Sequence, residues 1–99
     1  MFARVTTVYI KPDRVDKAIE IFNNSIIPAA REQDGYQGAN VLVDRESGKG
    51  IVITFWKTEE KAIANEKNRY YQEQLMKTVV LFTADPRREG FELAVKDRI

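Results

Sequence analysis

The 99-residue chain contains no histidine and no cysteine, so any chemistry it performs rests on carboxylates, Tyr, Lys, Arg and its single tryptophan. Imidazole bases, Ser-His-Asp triads, zinc fingers, disulfides and a proximal His or Cys for a haem iron are excluded. Trp56 offers an aromatic wall and one N–H donor to a bound ring, or else plain core packing. Tyr70 and Tyr71 stand about 100° apart on a helix, so at most one faces a given cavity. Tyr71 lies in phase with Leu75 and reads as core with at most a substrate-binding part, which leaves Tyr70 as phenol donor or as an exposed residue. Arg4, Thr6 and Asn40 are polar residues within apolar strand patterns. Arg4 or Asn40 could polarise an oxygen or hold an oxyanion, and Arg4 could equally pair with Glu92 across the sheet or the dimer seam, since a buried Arg is usually matched by a carboxylate. Arg87-Arg88 reads as a solvated loop, and the charged run from Glu59 to Arg69 as an exposed helix face. No glycine-rich phosphate loop or paired-carboxylate signature is present.

The elements that must position these residues follow from periodicity. Phe2 to Ile10 is rich in β-branched and aromatic types and predicts a first strand. Lys11-Pro12-Asp13 interrupts it, with Asp13 as expected N-cap of a helix from about Arg14. Val15, Ala18, Ile19, Phe22 and Ile26 form one apolar stripe, Pro28 predicts a kink near Asn24 to Ile27, and Asp34-Gly35 ends the helix. Gly38 to Asp44 and Ile51 to Lys57 predict two strands joined by a hairpin through Glu46-Ser47-Gly48-Lys49-Gly50. Thr58 is the expected N-cap of two consecutive helices, or one bent helix, reaching about Phe82. After Asp85-Pro86, alternation from Arg88 to Lys96 predicts the last strand. The order is βαββαβ, a ferredoxin-like α+β domain expected to span residues 1–99, with a four-stranded antiparallel sheet and its helices on one face.

Numbering parity sorts the strand residues into two sets. One, with Val5, Val41, Val43, Ile51, Ile53, Phe55, Phe91, Leu93 and Val95, is almost wholly apolar. The other mixes Phe2, Val8, Ile10, Leu42, Val52, Thr54, Trp56 and Ala94 with Arg4, Thr6, Asn40 and Glu92. Both need cover and the helices can roof one, so the chain is expected to form a homodimer through its open sheet faces, burying more than ~1,600 Å². A net charge of +1, from 16 basic and 15 acidic residues, gives no field for a nucleic acid. No run approaches the ~20 apolar residues of a membrane span, and the N-terminus lacks a secretory signal pattern, so the chain reads as complete and cytoplasmic.

In this order and length, four local features resemble the antibiotic biosynthesis monooxygenase family of dimeric α+β barrels across nearly the whole chain. They are the first strand running into Lys11-Pro12-Asp13, the helix ending in Asp34-Gly35-Tyr36-Gln37-Gly38, the hairpin Asp44 to Gly50, and Ile53-Thr54-Phe55-Trp56-Lys57-Thr58-Glu59-Glu60. The resemblance implies a small-molecule pocket in each subunit between the sheet and the second helical region. It further implies monooxygenation of a small electron-rich, quinol-like aromatic without flavin or metal, with Trp56 and Tyr70 lining the pocket. The rival expectation is a non-catalytic ligand-binding or structural homodimer. Haem-degrading relatives use a helical His and a strand-one Asn, whereas this chain has no His and carries Thr6 and Thr7 on that strand, which disfavours haem degradation.

Overall fold

The computed structural model describes residues 1–99. Strand β1 (Phe2–Tyr9) leads through a 3-10 turn at Pro12–Arg14 into α1 (Val15–Ile21), a π-helical segment at Phe22–Ile26 and α2 (Ile27–Arg31). Then come β2 (Tyr36–Val43), β3 (Lys49–Trp56), α3 (Glu59–Glu66), α4 (Arg69–Val79) and β4 (Arg87–Glu92). The sheet order is β2-β3-β1-β4, antiparallel throughout. This is the ferredoxin-like plait, and none of its helices is long and apolar enough to cross a membrane.

Local chemistry explains the breaks. Pro28 has no N–H to give to the preceding turn, and the first helical arm absorbs this as a wide π turn immediately before it, where the kink was expected. Asp13 does not cap a helix; it sits inside the 3-10 turn, and α1 starts without a side-chain cap. Thr58 does cap, accepting the Lys61 N–H at 3.2 Å. Asn68 restarts the second arm by accepting the Tyr71 N–H at 2.9 Å, so two helices form rather than one bent rod. Gly35, at φ 85°, turns the chain from α2 into β2.

Strand β4 ends four residues before the expected Lys96. Its only partner is β1, whose Phe2 stands opposite Glu92; the Leu93 N–H still donates to Met1 O at 2.9 Å, and past it β1 offers no further residues. The first helical arm and α4 pack on one sheet face around two apolar clusters. Val8, Ile10, Val15, Ala18 and Leu81 form the first, and Phe22, Ile26, Ala29, Ala30 and Tyr71 the second.

The parity sets need one correction. Within the hairpin, Val41 stands opposite Val52 and Leu42 opposite Ile51, so even-numbered residues of β2 share a face with odd-numbered residues of β3. Val41 and Val43 therefore join Arg4, Thr6, Val52 and Thr54 under the helices, and Asn40 and Leu42 join Val5, Ile51, Ile53 and Phe55 on the open side. Alternation is strict within a strand, but the hairpin register sets the phase between strands. An irregularity between Tyr36 and Gly38 then returns Tyr36 to the helix side, opposite Trp56.

Candidate active site

The roofed face encloses a cavity of about 330 Å³ between β1, β3 and β4 below and α3–α4 above. That volume lies in the range of small-ligand sites. Trp56 forms part of its wall and is 2% exposed. Its indole N–H donates to Thr54 Oγ1 at 2.9 Å, so Trp56 supplies an aromatic surface while its expected donor is already used. Tyr36 meets the indole edge-on at 5.5 Å between centroids and fixes it from behind.

The phenol facing the cavity is Tyr71, not Tyr70. Tyr71 is buried against the first helical arm and also lines the cavity, whereas Tyr70 is 53% exposed and outside it. One residue of helix rotates the side chain by about 100°, which decides between them. Burial pushes the Tyr71 hydroxyl up to about 12, so it stays protonated at neutral pH and acts as a donor.

Arg4 lines the cavity from β1 and pairs with Glu66 of α3, Nε to Oε1 at 2.7 Å, an ion pair whose N–H is not aligned for a hydrogen bond. Glu92, the expected partner, stands opposite Phe2 on the same face and makes no ion pair with Arg4. A Cβ at Gly90 would come within 2.8 Å of Arg4 Nη1 and 2.5 Å of the Phe2 ring, so a larger residue there would push both side chains aside. The guanidinium carbon also sits 5.1 Å from the Phe2 centroid. Thr6 lines the cavity beside Arg4, and Asn40 faces the open side of the sheet away from it.

Four further lining residues escape the sequence reading: Asn65, Glu66, Gln72 and Arg88. Asn65 is 4% exposed within a run that reads as a solvated helix face. Ala62, Asn65 and Glu66 share one face at i, i+3 and i+4 spacing, the signal that could have revealed it. Arg88 belongs to β4 rather than to a loop, and its Nη2 lies 3.7 Å from Glu66 Oε2. Asn65 Nδ2 and Gln72 Nε2 are buried donors with no partner in the protein. Such groups cost free energy when unmet, so both donors are available to acceptors that enter the cavity. A wider groove of about 790 Å³ runs between the first helical arm and β2 and carries one charged residue, Arg31. No group of three or more carboxylates converges to hold a metal ion.

Fold and cavity together define a ferredoxin-like α+β domain with an aromatic, donor-rich chamber under its second helical arm. The model of the antibiotic biosynthesis monooxygenase family matches residues 1–74, and the chain belongs to that family. An uncharacterized protein of Mycobacterium tuberculosis H37Rv is 31% identical over 99 residues, covering 99% of this chain and 41% of that protein. A second from the same strain is 29% identical over 102 residues, covering 99% and 43%. The chain thus spans about two fifths of the length of these relatives. Among solved structures, a Streptomyces coelicolor monooxygenase in complex with nanaomycin D superposes with TM-score 0.82 at 16% identity, over 99% of this chain and 91% of that one. An antibiotic biosynthesis monooxygenase structure from Bordetella bronchiseptica gives 0.83 at 12% identity, over 95% and 97%. Identities this low speak for the fold alone.

Proposed function

We propose that the chain is a cofactor-independent monooxygenase acting on a small electron-rich aromatic of phenol or quinol type, working as a homodimer joined through its open sheet faces. The observation that carries this reading is the cavity itself, where an indole, a protonated phenol and two unpartnered amide donors surround room for one ring system. The substrate supplies the electrons. Its ionised phenol passes one to O₂, the two radicals join at a ring carbon, and loss of water from the hydroperoxide leaves a quinone carbonyl. A phenol and O₂ thus give a quinone and water, with one oxygen atom in each.

The protein's contribution is electrostatic and steric. Arg4 stabilises the phenolate, and Glu66, the one carboxylate in the lining, accepts its proton. Tyr71 donates toward the peroxide oxygen, while Trp56 and the α3–α4 roof hold the ring and exclude water. Support for the dimer comes from the open face, where Leu42 is 52% and Phe91 50% exposed beside Ile51, Ile53 and Phe55. Stacking two such faces would cover them.

Oxygen uptake with a panel of quinols and hydroxyanthrones tests the reading. Uptake should depend on substrate and fall at least about tenfold in Tyr71→Phe, with a smaller loss in Trp56→Phe. Ligand binding without uptake across the panel would replace catalysis with a binding role.

A further inference from the structure

The charges around the cavity do not balance. Its charged lining residues are Arg4, Glu66 and Arg88, two guanidiniums against one carboxylate. Glu66 is shared unequally between them. It holds Arg4 at 2.7 Å, with both side chains only 19% and 22% exposed, but reaches Arg88 at 3.7 Å, and Arg88 is 49% exposed. Arg88 therefore stands at the edge of the chamber, loosely held and with donors to spare. Its position on the helix side of β4 is fixed by pairing with Thr6, two residues along β1 from Arg4. On the opposite wall, Asn65 and Gln72 add unpartnered N–H groups, so the chamber offers more donors than acceptors.

We infer that the cavity takes an aromatic bearing a carboxylate, and that this carboxylate displaces Glu66 from Arg88. The inference rests on the proposed aromatic-substrate reading and narrows its substrate class. Glu66 Oε2 acts as an internal stand-in for the ligand's anion. Exchanging one carboxylate for another leaves no lone charge buried, whereas a neutral ring leaves the surplus guanidinium unused. Arginine's planar fork matches a carboxylate at two points, which makes the contact both strong and directional. With the carboxylate on Arg88, the ring lies inward against Trp56 with its hydroxyl toward Arg4, and Asn65 and Gln72 donate to the carboxylate.

A matched pair of probes tests this, 1-hydroxy-2-naphthoate and 1-naphthol, which share the ring and hydroxyl and differ in the carboxylate. Binding is measured by calorimetry at pH 7 and located by quenching of Trp56, the single tryptophan. The naphthoate should bind about tenfold or more tighter than the naphthol. Arg88→Gln should abolish that preference, Arg88→Lys should restore part of it, and Glu66→Gln should enlarge it by removing the competing carboxylate. Circular dichroism confirms that each variant is folded. Equal affinities, or a preference untouched by Arg88→Gln, would overturn the carboxylate assignment while leaving the aromatic chamber standing. Failure of both probes to bind would remove the aromatic-site reading as well.

Discussion

The two faces of the sheet differ in where they keep their polar residues. The face covered by the chain's own helices carries Arg4, Thr6, Thr54 and a chamber with unpartnered donors, while the face left open is lined by Val5, Leu42, Ile51, Ile53 and Phe55. A domain optimised for its own stability would bury the aliphatic face under its helices. Here the helices roof Val8, Ile10, Val41, Val52 and Trp56 together with the polar residues, and part of the space beneath α3 and α4 is left as the chamber. In the proposed homodimer the open face would be covered by another copy, and the chamber would be kept for a ligand.

The largest test of this contrast is on the open side. Ile53→Glu places a charge in the middle of that face, and in the proposed dimer it would be buried without a partner at a cost of about 3–5 kcal/mol. Light scattering at micromolar protein should change from twice the 11.4 kDa chain mass to the chain mass itself. A wild-type protein that already runs at the chain mass would break the comparison outright.

A second test lies in the chamber and uses alkaline pH. The Tyr71 hydroxyl titrates at about 12 in the fold against 10.0 unfolded, chiefly because of burial. A raised folded value means its share of stability is intact below pH 10 and is lost as pH climbs from 10 to 12. About 2–3 kcal/mol should disappear across that window in urea unfolding, and Tyr71→Phe should flatten this part of the curve. Tyr70→Phe, at the exposed neighbouring position, should leave it unchanged.

The smallest effect has the opposite sign. Asn65→Leu replaces a buried amide whose N–H has no partner, so stability should rise by about 1 kcal/mol while probe binding weakens. A loss of stability instead would show that Asn65 serves the fold rather than a ligand.

Much of the architecture was legible in the sequence because its signals are local. Apolar stripes, Pro28, the Thr58 cap and the hairpin residues act over a few positions, and each produced the element or break expected of it. The site was legible only in part. Arg4, Thr6 and Trp56 stood out as polar or aromatic residues on strands, and all three line the chamber. Asn65, Glu66 and Arg88 did not, because each sits in a charged stretch whose composition matches a solvated surface. Arg4 pairs with Glu66 rather than Glu92 because α3 folds over β1, a contact that the strand pattern does not carry.

By itself, then, the sequence determined the βαββαβ order, the single helical roof and the absence of imidazole and thiol chemistry, since periodicity and composition are properties of the chain. Tertiary structure alone decided which side chains meet. The hairpin phase moved Asn40 out and Val41 in, and strand pairing brought Arg88 to Glu66. Those outcomes depend on register between segments far apart in the chain, where a shift of one residue reverses the direction of every side chain.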